Sequence, residues 1–197
     1  MDIRIEQVTV DQLERYGRIP IAFDIRSRLE VEAVDGGLGG LAMREVPVIP
    51  PVRRDYDAME GATEDGGPAS WPKRFDASQW GVFIAVADGR DAGGVVVVVD
   101  TPTVNLLEGR DDMAVLWDIR VAPEFRGCGV GRRLFEHAAQ WAREHGKTRL
   151  KIETQNINVP ACRFYAAMGC RLGAIQRWAY KEPEVAEDVM LLWYLDL

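Results

Sequence analysis

No apolar run in this chain approaches the roughly 18 to 20 residues that span a bilayer, and the first ten residues, MDIRIEQVTV, alternate in charge where an export signal needs an apolar segment. These two absences predict no membrane partner and a cytoplasmic location. Histidine is nearly missing. His137 and His145 are the only two and fall on one predicted helix, so no histidine-based metal site is expected and none is called for elsewhere. Three cysteines without a C-x-x-C pair fit free thiols in a reducing compartment and exclude a disulfide framework. Cations are outnumbered, 24 Lys and Arg against 31 Asp and Glu, for a net charge of −7. Nucleic-acid affinity comes largely from Lys and Arg on phosphates, so a nucleic-acid partner is not expected. The same acidity is compatible with a cationic acceptor.

What is present is enough for a packed core. With 197 residues and 47% hydrophobic content, the chain reads as one globular domain. Its six Trp are scattered singly and read as core and cleft-wall anchors. Residues 3–10 alternate as a half-buried strand, and a helix follows with Asp11 as candidate N-cap. Residues 28–34 and 41–46 read as strands of a hairpin-like insertion around Gly36-Gly-Leu-Gly-Gly40, closed by Pro47 and Pro50-Pro51. Residues 55–74 lack periodicity and are rich in Gly, Pro and acid, which predicts a mobile loop. Two β-rich runs, 80–87 and 94–100, flank turn residues and make the strongest hairpin in the chain. A strand over 113–121 leads into a glycine loop. A helix then runs from Gly131 to His145, with Leu134, Ala138, Trp141 and Ala142 on one face and Gly146 at the C-cap. The alternating stretch 148–155, reached through that helix, should lie parallel to the preceding strand. A short helix over 160–168 and two strands, 170–180 and 189–197, complete an α/β fold with a central mixed sheet.

The stretch that organises the rest is Leu116–Gly131, LWDIRVAPEFRGCGVG: an apolar strand, a Pro-marked turn, then Gly127, Gly129 and Gly131 opening a helix. Glycines there let backbone approach an anion without Cβ obstruction, and first-turn N–H groups with the positive end of the dipole would face it. A dinucleotide fingerprint would need G-x-G-x-x-G and a Walker loop G-K-[ST]. Here Arg126 leads the glycines and Arg132 follows them, which disfavours both.

The pattern Arg126-x-x-Gly129-x-Gly131 after a strand ending in Val-Ala-Pro resembles the acetyl-CoA motif of the GCN5-related N-acetyltransferases. A second segment in the right order, Glu153-Thr-Gln-Asn-Ile-Asn-Val-Pro-Ala-Cys-Arg-Phe-Tyr165, is similar to that family's fifth strand and the helix after it, with Asn158, Ala161 and Tyr165 at the motif spacing. Together with Ala42–Pro47 it resembles the streptothricin acetyltransferases within the family. The resemblance covers residues 80–197 as an acetyl-CoA-binding core, with 1–79 as an acceptor-side part carrying the 55–74 loop. It implies a mixed sheet flanked by helices whose splayed fourth and fifth strands hold acetyl-CoA as co-substrate, with no metal. It also implies a small cationic amine, possessing a primary amine and of streptothricin type, as acceptor, and it leaves a homodimer open.

Carried onto this chain, the resemblance implies that the backbone of Ile119, Arg120 and Val121 pairs with the pantetheine arm. Gly127, Cys128, Gly129, Val130, Gly131 and Arg132 would hold the pyrophosphate, with Arg126 adding charge. Asn158 and Ala161 would contact the coenzyme, and Tyr165 would be the general acid for the departing thiolate. Each has a plainer alternative: a solvated loop arginine for Arg126, a spacer for Cys128, a core aromatic for Tyr165. The base is read from strand parity. Asp118 and Arg120 share one face of their strand, as do Arg149, Lys151 and Glu153 of the next. Unpaired charges cannot occupy a sealed core, so this face either forms ion pairs or lines an open cleft. Asp118 and Glu153 are therefore the candidates for acceptor binding or general base, against mutual pairing with Arg120 and Lys151. The alternatives at the level of function are a protein lysine or N-terminal acetyltransferase and a non-catalytic acyl-CoA-binding module.

Overall fold

The computed structural model describes residues 1–58 and 67–197. Its strands are β1 (Ile3–Val8), β2 (Phe23–Ala33), β3 (Leu41–Arg54), β4 (Gly81–Ala87), β5 (Arg90–Val98), β6 (Met113–Val121), β7 (Arg149–Gln155), β8 (Arg171–Gln176) and β9 (Met190–Asp196); its helices are α1 (Leu13–Gly17), α2 (Trp71–Arg74), α3 (Val130–Glu144) and α4 (Val159–Ala167). Seven strands form a mixed sheet in the order β1-β4-β5-β6-β7-β9-β8, and β2 and β3 form a separate two-stranded ribbon. The chain divides into two compact units, one of residues 1–21, 55–152 and 195–197, the other of 22–54 and 153–194.

In the first unit the continuous valine run of β5 explains its place. Val95 to Val99 are each at most 1% exposed, as a strand covered on both faces requires, so apolar residues do not alternate with polar ones. Helix α3 covers β5 and β6 with Leu134, Ala138, Trp141 and Ala142, all buried. The hairpin turn is only Asp88-Gly89, both at positive φ, so β5 begins earlier than residue 94, and Ala92 is accommodated as a bulge between Ala85↔Gly93 and Val86↔Asp91. Gly94 is a close approach: a Cβ there would stand 2.4 Å from the Tyr16 ring. The β6–β7 pairing is parallel and runs from Met113↔Arg149 to Leu116↔Ile152, where it stops.

In the second unit α4 contacts β8 and β2, and Asn156 joins three segments. Its Nδ2 donates to Leu29 O at 2.8 Å, its Oδ1 accepts from Val189 N at 2.8 Å, and its carbonyl accepts from Leu29 N at 2.9 Å.

Several expectations need correction. Asp11 caps nothing; it lies inside a 3₁₀ turn, Val10–Gln12, ahead of α1. β3 does not end at Pro47 but continues to Arg54: Pro47 is still paired with Ser27, and Pro50 and Pro51 fall in the register jump from Ser27↔Pro47 to Ile25↔Val52, where the ladder is interrupted. The segment 55–74 is not a structureless loop in its described parts. Residues 56–58 and 68–70 are 3₁₀ turns and 71–74 a helical turn, with Trp71 buried; the rest of that expected loop, 59–66, lies outside the described residues. β8 ends at Gln176, short of residue 180.

Candidate active site

In the first unit the turn after β6 builds a cradle from backbone. Gly127 and Gly129 have φ of +76° and +86°, and a Cβ at either would meet nothing within 4 Å. Gly129 is the N-cap of α3 in the left-handed region, and no side chain caps the helix. The first-turn N–H groups of an α-helix have no acceptor within it. The charges there run against the dipole: no acid lies in the first turn, while Arg132 and Arg133 do, both exposed. Cations at a helix N-terminus are unfavourable unless an anion sits between them. These residues therefore fit the diphosphate of a coenzyme. Cys128 is exposed at this turn, its Sγ 3.7 Å from Arg126 O.

The edge of β6 beside the cradle is the second part. Ala122 N donates to Ala92 O at 2.9 Å, so by alternation the N–H and C=O groups of Ile119 and Val121 point away from β5. Because the β7 pairing stops at Leu116, among the described residues no strand of this unit pairs with that edge. The Val121 carbonyl accepts from Arg126 Nε at 2.9 Å, so the Arg126 side chain braces the turn against the end of β6. A bulge at Trp117, between Val97↔Leu116 and Val96↔Asp118, turns its ring into an aromatic cluster with Trp71, Phe75 and Trp80, at centroid distances of 6.1, 5.4 and 5.5 Å.

Asp118 and Arg120 form a buried ion-pair network next to this cluster, reached through Tyr16, whose ring lies 6.2 Å from that of Trp71. Asp118 receives Arg120 Nε at 2.9 Å and Nη2 at 2.8 Å, and the Tyr16 hydroxyl at 2.5 Å. Arg120, with its side chain 1% exposed, also donates to Asp57 at 2.8 Å and to Ile19 O at 3.2 Å. Burial opposes the charge on Arg120, but Asp118's charge and hydrogen bonds outweigh it and hold the guanidinium above its ordinary pKa. Burial first, and the charge of Asp118 second, push the Tyr16 phenol well above 10. Both Asp118 oxygens are thus occupied, and the Arg120 side chain is committed to carboxylates, so Arg120 can serve a coenzyme only through its backbone. Lys151 Nζ lies 2.6 Å from Glu108, and Arg149 lies 3.1 Å from Asp196.

In the second unit Glu153 is half-buried and accepts a hydrogen bond from the Tyr180 hydroxyl. Asn158 is the N-cap of α4, its side chain accepting from Ala161 N at 3.2 Å. The Asn-x-x-Ala spacing is therefore first of all a helix cap, with Pro160 in the first turn. That cap sets the start of the helix carrying Tyr165, which is 5% exposed and packs against Trp193 at 6.5 Å between centroids.

Sequence reasoning missed Tyr16, Asp57, Tyr180 and Arg133. Only Arg133 left a signal, a second cation where the helix dipole disfavours one.

The family model described as "Acetyltransferase (GNAT) family" matches residues 52–170. The streptothricin acetyltransferase of Escherichia coli is 31% identical over 173 residues, 87% of this chain and 84% of that protein. Streptothricin acetyltransferase A of Bacillus subtilis (strain 168) is 38% identical over 81 residues, 41% of this chain and about half, 47%, of its own length. The crystal structure of nourseothricin acetyltransferase superposes with a TM-score of 0.77 at 28% identity, covering 100% of this chain and 99% of that one.

Proposed function

Because this chain belongs to the GNAT acetyltransferase family and is an acetyl-CoA-dependent N-acetyltransferase, we propose that it transfers acetyl to a primary amine of a small cationic acceptor of the streptothricin type. The observation that carries the coenzyme side is the uncapped N-terminus of α3, with Gly129 in the left-handed region and Arg132 and Arg133 in its first turn. The acceptor is supported by the likeness to streptothricin acetyltransferases and by the chain's net charge of −7.

Acetyl-CoA supplies an activated thioester. Around it, the N–H groups of residues 129–132 neutralise diphosphate charge, with Gly127 leaving the approach open and Arg126 stiffening the turn. Ile119 and Val121 present backbone groups from the β6 edge. An N–H from this edge stabilises the negative charge that develops on the acyl oxygen, where a preorganised donor is worth far more than in water. Tyr165 donates the proton that the departing sulfur needs. Asn158 acts on Tyr165 by fixing the start of α4. With Asp118 neutralised by Arg120, Glu153 is the residue that takes the proton from the acceptor ammonium, directly or through water. The attacking nitrogen must be neutral, and a carboxylate close to an ammonium raises the amine pKa as it binds it. Binding and deprotonation therefore compete, and Glu153 with its Tyr180 partner suits deprotonation better than a carboxylate locked in an ion pair.

Thiol release from acetyl-CoA measured with streptothricin, and with lysine-containing and free-N-terminal peptides, tests this reading. Rapid release with streptothricin alone is expected. Release only with peptides would assign a protein acceptor, and release with neither would overturn the acceptor.

A further inference from the structure

The connection between β8 and β9, residues 177–189 of the second unit, carries a bulky side chain on strained backbone. Among the described non-glycine residues with positive φ, Asp35, Asp88, Asp100 and Glu108 are acidic, and the fifth is Trp178, at φ +62°. Aspartate visits the left-handed region with local hydrogen bonding to help it, whereas a large aromatic residue there is an outlier that persists only where its surroundings impose it. Trp178 recovers nothing by packing. It is 79% exposed, and the charged group set against its ring is its own neighbour, the Arg177 guanidinium, whose Cζ lies 4.6 Å from the ring centroid. A singly exposed Trp needs no explanation; one that is both exposed and strained contributes nothing to the fold that a smaller residue would not.

The connection is fastened on both sides of its middle. Val185 and Asp188 are buried, Asp188 lies 3.5 Å from Arg54, and turn bonds join Val185 N to Glu182 O at 3.0 Å and Asp188 N to Val185 O at 2.8 Å. Toward its start, the Tyr180 hydroxyl donates to Glu153. Two residues of chain span at most about 7 Å, so the Trp178 indole and the phenol that holds Glu153 can touch one small molecule. The charge of the segment suits a cation: Glu182, Glu184, Glu187 and Asp188 outnumber Arg177 and Lys181.

We propose that Trp178 is a specificity-determining residue for the acceptor: a cationic group of the acceptor lies on the indole face in the place that Arg177 otherwise takes, while the amine to be acetylated meets Glu153. Indole is the side chain whose face attracts a cation most strongly, and the guanidinium already stacked on this one shows that a cation reaches it. Displacing an intramolecular cation makes the exchange selective, because a neutral amine of the same size cannot replace what Arg177 gives up. The strained backbone holds the ring out from the surface instead of letting it fold back. This inference rests on the small cationic acceptor of the reading above.

Thiol release from acetyl-CoA on the full chain, with streptothricin and acetyl-CoA each varied, tests it. Trp178→Asn, a residue that accepts positive φ, should melt at or above the wild type, yet raise KM for streptothricin roughly three- to thirtyfold, the range a cation–π contact is worth. KM for acetyl-CoA and kcat at saturating streptothricin should move by less than about twofold, since Trp178 takes no part in the chemical step. Trp178→Phe keeps an aromatic face and should recover part of the loss. Arg177→Gln removes the competing cation and should lower KM for streptothricin about two- to fivefold, a gain that disappears when Trp178 is also Asn. Calorimetry with streptothricin should rank the variants in the same order, which separates affinity from turnover. Normal turnover with KM unchanged in Trp178→Asn overturns the inference and leaves the cationic acceptor standing. A lower melting temperature with both KM values raised together also overturns it, by making Trp178 structural, as does an Arg177→Gln gain that persists without the indole. Absence of release from the wild type with streptothricin removes the acceptor reading and this inference with it.

Discussion

Asp118→Asn separates a structural carboxylate from a catalytic one. The substitution keeps size and one acceptor oxygen but removes the charge that balances Arg120. With the Asp118 side chain 10% exposed and Arg120 1% exposed, losing one partner of such a pair costs about 3–5 kcal/mol where nothing else compensates. Here Asp57 remains 2.8 Å from Arg120, and the amide oxygen can still accept from Tyr16, so we expect a cost below that range, about 2–3 kcal/mol. For a domain of this length each kcal/mol moves Tm by ~2–4 °C, so the variant should melt roughly 5–10 °C lower. The kcat of the folded fraction, followed by thiol release below the transition, should change by less than about threefold if Asp118 acts only as an ion-pair partner. Asp57→Asn should cost less, since Asp57 is 31% exposed. A variant that melts with the wild type but loses kcat more than about tenfold, with its acidic pH limb displaced, would refute the reasoning and make Asp118 the base.

Gly129→Asp should weaken acetyl-CoA binding strongly, since it puts a carboxylate at the diphosphate and a side chain on a residue with φ of +86°; calorimetry on folded variant showing unchanged affinity would remove the cradle. Tyr165→Phe should lower kcat roughly 10²- to 10⁴-fold with little change in Tm, as for loss of a general acid, and full turnover would assign Tyr165 to packing. Glu153→Gln should depress kcat more than it raises KM and move the acidic limb of the kcat profile, whereas a pure KM effect would make Glu153 a binding residue. Burial raises the Cys162 and Cys170 thiols to about 11, so alkylation of the native protein near neutral pH should label Cys128 alone, and saturating acetyl-CoA should slow it; labelling indifferent to the coenzyme would place Cys128 outside the bound region.

The local features of this protein were legible in its residues. Glycines separated by one residue with arginines on either side, a period of two over 113–121 and 149–155, and a Pro after Asn158 each express short-range sterics or hydrogen bonding, so the cradle, β6, β7 and the start of α4 could be placed from neighbours a few positions apart. Strand parity also put Asp118 and Arg120 together. It could not say what closes the network, because Tyr16 lies 102 residues from Asp118 and Asp57 lies 63 from Arg120, and only the packing of α1 and the 56–58 turn brings them there. Lys151 shows the same limit: its partner Glu108 lies 43 residues away along the chain. Pro50 and Pro51 of β3 argued for a break where the register jump absorbs them. Backbone periodicity is set by adjacent residues and survives in the sequence; the choice of partner for a buried charge is set by which distant segments share its space, and that was decided only when the chain packed.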